Sequence, residues 1–230
     1  MLAIIPARGG SKRIKGKNIK PFLSKPIISY SILSALESNL FDTVMVSTDN
    51  EEIADVARSF GAEVPFLRSP ENSNDHASTV DALLEVLDNY HEKGQSFPLA
   101  CCIYPTAPFV DAALLNEGYS LLKKYNYDST FPVIQYSYPI QRALRVDKES
   151  RVSMLHPEHL LSRSQDLEST FHDSGQFYWF RPEILVEKRS LWTDNTGVFP
   201  ISELRAHDID TYEDWKIAEF KYKLLLDGKE

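Results

Sequence analysis

Two short stretches carry side chains whose types and spacing suit phosphate chemistry. The first, IIPARGGSKRIKGKNIK at residues 4–20, gathers Arg8, Lys12, Arg13, Lys15, Lys17 and Lys20 around the adjacent Gly9 and Gly10. Glycines let backbone N–H groups come close to an anion, and Arg and Lys supply the charge that holds it, so this stretch reads as a phosphate cradle. It is neither the P-loop pattern nor G-x-G-x-x-G. The second stretch, AHDIDTYEDW at residues 206–215, alternates Asp208 and Asp210. On an extended segment both would point to one face, the spacing that lets two carboxylates share a divalent ion such as Mg2+. The competing structural role is capping, with Asp210 or Thr211 opening a last helix and Glu213 and Asp214 serving its dipole.

The distribution of charge sharpens the first reading. Residues 1–36 hold seven basic side chains and no acidic one, whereas the whole chain has 25 basic and 33 acidic residues, a net charge of −8. A local positive site on an otherwise acidic protein argues for one small polyanion, and against nucleic acid spread over a broad basic surface. No stretch near the start has the layout of a secretory signal, and no apolar run approaches membrane-spanning length, so a cytoplasmic protein is expected. Cys101 and Cys102 are neighbours inside LACCIY and read as core thiols rather than a disulfide or a spaced metal site.

The elements that must position these stretches follow an α/β rhythm. Apolar runs predict strands at 2–6, 43–48, about 63–66, 99–104 and about 130–135. Helical stripes predict helices at 26–37, 50–59, 77–91, 111–125 and about 212–226. Asp49 and Asn50 are cap candidates for the second of these, which carries Glu51 and Glu52 in its first turn. The fold class expected is a mainly parallel twisted sheet flanked by helices, in one domain spanning residues 1–230. The rhythm breaks between about 136 and 172, a long polar segment that nevertheless contains apolar and aromatic residues. This is read as an excursion, either a lid or an arm for homodimer formation. The cradle would then follow the first strand, at the C-terminal edge where open α/β sheets bind ligands.

The longer run IIPARGGSKRIKGKNIKPFLSKPII resembles the signature of the acylneuraminate cytidylyltransferases, which join a nonulosonic acid to CMP from CTP. The resemblance continues in order through VSTDNEEIADVARSFGAEVPFLRS, YPTAP and HDIDTYEDW. Within that family, YPIQRAL, HPEH, RSQDLE and HDSGQFYW look like the branch that activates pseudaminic acid, a sugar of bacterial surface glycans and flagellin. The resemblance implies a Rossmann-like nucleotide-diphospho-sugar transferase fold, with CTP across the strand ends and Mg2+ on Asp208 and Asp210. It places Ala7, Arg8, Gly10, Ser11, Lys12, Lys17 and Asn18 on the nucleotide loop, and Arg68, Asp75, Ser78 and Thr79 on the cytidine side. Tyr104, Pro105 and Thr106 fall on the strand end leading to the sugar. Sialic acid enzymes usually carry Gln where Tyr104 stands, which suggests a pocket shaped for a different sugar.

The chemistry implied is attack by the anomeric hydroxyl on the α-phosphorus of CTP, with pyrophosphate leaving. Arg8, Lys12, Lys17, Asp208 and Asp210 are the residues expected to carry it by positioning and electrostatics. The sugar brings a carboxylate, for which Arg163 matches the family's arginine and Arg142 is a second candidate. Either could instead pair with Glu158, Asp166 or Glu168. On the strand GQFYWF, Gln176 and Tyr178 could face the sugar while Phe177 and Trp179 face the core, with the opposite register left open. His156, His159, His172 and His207 lack zinc-enzyme spacing and read as polar contacts, and His76 and His91 as surface or cap residues. Ser11 and Ser174 lack a nucleophile elbow. The alternatives are a cytidylyltransferase for sialic, legionaminic or 3-deoxy-octulosonic acid, a glycosyltransferase, or a non-catalytic nucleotide-binding or interaction protein of the same fold.

Overall fold

Along the chain, β1 (Leu2–Pro6) leads through the cation-rich loop to a short hairpin of β2 (Pro21–Phe22) and β3 (Lys25–Pro26). Then follow α1 (Ile28–Glu37), β4 (Thr43–Ser47), α2 (Glu51–Ser59), α3 (Thr79–Glu92), β5 (Ala100–Ile103), α4 (Ala112–Tyr125) and β6 (Ser129–Gln135). An excursion carries the hairpin β7 (Leu144–Val146) and β8 (Val152–Met154). The chain returns through β9 (Phe171–Asp173), β10 (Phe177–Phe180), α5 (Pro182–Lys188), β11 (Thr196–Pro200) and α6 (Tyr212–Asp227). The computed structural model describes residues 1–228.

The main sheet has the order β11-β6-β10-β5-β1-β4, with β9 added on β6. Strands β4, β1 and β5 are parallel, as are β11 and β6, whereas β10 runs antiparallel to both of its neighbours. The sheet is therefore mixed. Its parallel half is the one the sequence rhythm announces, and the reversal occurs where the chain re-enters from the excursion. β1, β4 and β5 are apolar at successive positions because helices cover both faces of the sheet. Ala3, Ile5, Val46, Cys101, Phe177 and Trp179 pack into the layer under α1, α2 and α4, and Leu2, Ile4, Met45, Cys102 and Tyr178 into the layer with α3 and α5.

The strand expected near 63–66 shrinks to one bridge between Met45 and Glu63. Glu63 exchanges two hydrogen bonds with Val44 and Val46, but Pro65 has no N–H with which to continue the ladder. The excursion is more ordered than its polar sequence suggests. It comprises the β7–β8 hairpin, short 3-10 turns and β9, yet it leaves Leu144, Val146, Val152 and Leu161 exposed. Among the described residues no helix is long and apolar enough to cross a membrane.

A third cluster fixes the site. Ile14 from the first loop, Phe22, Ile27 and Tyr30 meet Phe109, Ile209, Trp215 and Ala218, so the cation loop and the last helix share one apolar core. Phe22 packs edge-on against Tyr30, Trp215 and Tyr222 at centroid distances of 5.4, 5.7 and 5.7 Å. Such aromatic pairs each contribute about 0.5–1.5 kcal/mol beyond their buried area.

Candidate active site

The loop after β1 is held at its start by backbone N–H groups. Ala7 N–H donates to Ser47 O on β4 at 2.8 Å, and Gly9 N–H to the Asp49 carboxylate at 2.8 Å. A Cβ at Gly9 would stand 3.0 Å from that of Asn50, so the glycine permits this close crossing. Asn50 itself caps α2, accepting from Ile53 N–H, which leaves Asp49 to hold the loop. Farther along, buried Asn18 donates through Nδ2 to Arg8 O at 2.9 Å, and Gly16, at φ +62°, turns the chain so that Lys17 opens a 3-10 turn. Buried Ile14 anchors the middle of the loop, and its charged neighbours face outward.

The aspartate pair comes from the opposite end of the chain. Ile209 is buried in the third cluster, so Asp208 and Asp210 lie on the other side of the extended segment. The capping role falls to Thr211 and Asp214, which form a reciprocal box at the start of α6. That frees Asp210. Its carboxylate pairs with Arg13 at 2.7 Å and with Lys17 at 3.6 Å, so loop cations and aspartates separated by almost the whole sequence touch one another.

Between them is a cavity of about 460 Å3 at the C-terminal ends of β1 and β5, lined by Arg8, Ser11, Lys12, Arg13, Lys17, Asn18, Tyr104, Pro105, Thr106, Asp208 and Asp210. A second cavity, of about 440 Å3, adjoins it and shares Tyr104, Thr106 and Asp208. Its other walls include His172, Asp173, Ser174, Glu203, His207 and Lys221. Two adjoining pockets with a common wall suit two reactants that meet at that wall.

The remaining expected residues differ in how near they come to these cavities. Asp75 reaches the cation loop: it accepts from Arg8 at 2.9 Å and from Lys12, and these bonds, Lys12's the stronger, hold its carboxyl below the usual range. Arg68 is buried beside the first loop's support, donating to Ser47 Oγ at 2.9 Å and to Ser47 O, and burial lowers its pKa. Ala7 is buried and Gly10 exposed, and neither lines the cavity.

Ser78 caps α3 in a box with Asp81, while Thr79 Oγ1 lies 3.3 Å from the Tyr104 hydroxyl. Gln176 and Tyr178 do share a face opposite Phe177 and Trp179, as one of the two registers has it, but both are buried behind the cavity walls. Gln176 donates to Arg205 O, and Tyr178 OH donates to Asp173, a cavity residue. Arg142 and Arg163 are in the excursion and line neither of these cavities. Arg163 is closed in a two-pronged pair with Asp166 at 2.7 and 3.2 Å.

Arg13 was visible only as one more cation of the run, and its contact with Asp210 gives it a place in the site. His172 is one of the histidines read as polar contacts, and it lines the second cavity; Asp173, Glu203 and Lys221 carry no signal of their own, the HDSG turn before β10 being the nearest hint. The two cysteines are fully buried, and burial pushes both thiols well above their ordinary pKa, which removes them as nucleophiles.

Asp208 and Asp210 fit a divalent ion as a two-carboxylate donor set beside a cavity rich in cations. No cluster of three or more His, Cys, Asp or Glu side chains suited to a metal occurs among the described residues. Two protein carboxylates with the rest of the shell left to phosphate oxygens and water is the pattern Mg2+ accepts, rather than a closed protein cage.

Known proteins resemble this chain over nearly its whole length. The cytidylyltransferase family model matches residues 2–223. A pseudaminic acid cytidylyltransferase of Campylobacter jejuni is 39% identical over 223 residues, covering 97% of this chain and 96% of the relative. N-acylneuraminate cytidylyltransferase A of Danio rerio is 35% identical over 218 residues, covering 94% of this chain and 49% of the relative. Among solved structures, a CMP:2-keto-3-deoxy-manno-octonic acid synthetase complexed with CTP aligns with a TM-score of 0.71 at 17% identity, over 98% of each chain. That last likeness bears on the fold alone.

Proposed function

The chain belongs to the cytidylyltransferase family, and on that premise we propose that it transfers CMP from CTP to a nine-carbon nonulosonic acid, with pseudaminic acid as the acceptor. The observation that carries the reading is the pair of adjoining cavities, one cationic and one mixed, joined at Tyr104, Thr106 and Asp208.

In this reading the first cavity takes the triphosphate. Arg8, Lys12, Arg13 and Lys17 hold its oxygens, and Lys12 and Arg8 exchange the Asp75 carboxylate for phosphate. Tyr104 and Thr106 stand where the two reactants meet, and the acceptor sugar occupies the second cavity. The anomeric oxygen bonds to the α-phosphorus as the bond from that phosphorus to the β-phosphate oxygen breaks; pyrophosphate leaves, and the hydroxyl proton passes to solvent water. Asp208 and Asp210 would hold Mg2+, which when bound offsets charge on the phosphate oxygens. Arg13 and Lys17, now on Asp210, are placed to turn toward the departing pyrophosphate.

Assembly belongs to the same proposal. The β7–β8 hairpin and the turns after it leave Leu144 60%, Val152 62% and Leu161 93% exposed. A second copy of the chain would cover them, and the excursion could bring Arg142 and Arg163 to the partner's acceptor cavity. Two reduced, buried cysteines fit the reducing cytoplasm.

Pyrophosphate release with CTP and a panel of pseudaminic, legionaminic, sialic and 3-deoxy-octulosonic acids tests the reading, with and without EDTA. Turnover fastest with pseudaminic acid and abolished by EDTA is expected. Faster turnover of another member would reassign the sugar, and no release with any of them would overturn the function.

A further inference from the structure

The segment between Arg68 and α3 begins with Ser69-Pro70-Glu71-Asn72, a turn opened by a proline, in which Asn72 N–H donates to Ser69 O at 3.2 Å. Half-buried Glu85 on α3 fastens this turn. Its carboxylate accepts from Ser69 N–H at 2.7 Å, from the Ser69 hydroxyl at 2.8 Å and from the Asn72 side-chain amide. Hydrogen bonds to an ionised group are stronger than neutral ones, and here three converge on one side chain.

Asn74 and Asp75 follow the turn directly and are exposed. Arg8 donates to Asn74 O at 3.0 Å and to Asp75 at 2.9 Å, and Lys12 donates to Asp75 as well. Arg8 and Lys12 line the cavity given above to the triphosphate, and the same cations would face pyrophosphate before it departs. On a free loop, a carboxylate would meet two exposed cations seldom. Tethered a few residues from a clamped turn, it faces them at high effective concentration. The far end of the segment is held separately, by the Ser78–Asp81 box that caps α3, so the clamp and the cap are independent.

We propose that Glu85 is a positioning residue: by clamping the turn at Ser69 and Asn72 it keeps Asp75 on Arg8 and Lys12 as a competitor built into the chain. That competitor weakens the hold on CTP and helps to displace pyrophosphate, which needs the same cations. The inference rests on the nucleotide reading of the first cavity. The other role open to Glu85 is to support the buried charge of Arg68, which its carboxylate favours. Asn72→Ala separates the two roles, because it cuts one arm of the clamp and leaves both Glu85 and Arg68 in place.

Binding of CTP and of pyrophosphate, each with Mg2+ and without acceptor, would be measured by titration calorimetry. Glu85→Ala is expected to tighten both anions by about two- to five-fold, the factor an exposed ion pair commonly carries, and Asn72→Ala to tighten them in the same direction. With Asp75→Asn already present there is no competitor left to position, so adding either substitution should change neither affinity. A purely structural Glu85 would lower the unfolding midpoint without tightening either anion. Should Glu85→Ala fail to fold, Asn72→Ala alone and with Asp75→Asn gives the same comparison. Unchanged or weaker binding in the folded single variants overturns the assignment, and so does an equal gain with and without Asp75. A wild type that binds neither CTP nor pyrophosphate would instead remove the nucleotide reading, and this inference with it.

Discussion

Asp210 is in contact with Arg13 and Lys17, and Asp75 with Arg8 and Lys12, so four of the six cations at residues 4–20 are divided between two carboxylates. The two aspartates are expected to respond oppositely to mutation. Asp210→Asn removes a group that the reaction needs, as Lys17→Ala does, and each should lower kcat about 10²- to 10³-fold with the fold intact, as loss of one preorganised electrostatic group commonly does. Near-full turnover at saturating substrates would contradict these roles. Asp75 occupies cations that the triphosphate would use, so Asp75→Asn should lower KM for CTP by a few-fold; a raised KM would mean that Asp75 itself touches the nucleotide. The cradle and the D-x-D pair were legible because charge type and spacing mark them directly. Lys221 and Asp173 were not, because a lone Lys on a helix and a lone Asp before a strand look the same in sequence whether they face solvent or a cavity.

At the scale of elements, α6 is the part that brings the end of the chain to its beginning. Its capping box and the Trp215 contact with Phe22 set where Ile209, and hence Asp208 and Asp210, must lie. Thr211→Ala should cost about 1 kcal/mol of stability in a denaturant titration, the usual loss for a helix cap, with kcat little changed. Trp215→Ala empties a buried site and should cost about 3–5 kcal/mol, and in the fraction that folds it should reduce kcat as well, because the aspartates lose their backing. Normal kcat in folded Trp215→Ala would show that α6 does not position them. Periodicity and caps made α1, α2, α3, α4 and α6 readable to within a few residues. Pro65 truncates what apolar character alone takes for a strand, α5 and β11 are short and carry weak signals, and the antiparallel direction of β10 depends on where the excursion re-enters, which no local pattern encodes.

For the whole molecule, the exposed apolar residues of the excursion predict a homodimer at micromolar concentration. Leu144→Asp with Val152→Asp should shift the sedimentation profile to monomer; a monomeric wild type would remove the arm from the account. The sequence showed that something left the domain at 136–172 but not that it folds into a hairpin, since strands of three residues carry almost no periodicity. The acidic body with one cationic mouth should draw CTP to that mouth and weaken its binding as salt rises. The most direct test is a crystal structure of the protein with CTP and Mg2+. The triphosphate is expected between the loop of Arg8, Lys12 and Lys17 and the carboxylates of Asp208 and Asp210, with Asp75 released from Arg8. A nucleotide bound elsewhere, leaving those groups paired with one another, would contradict the account.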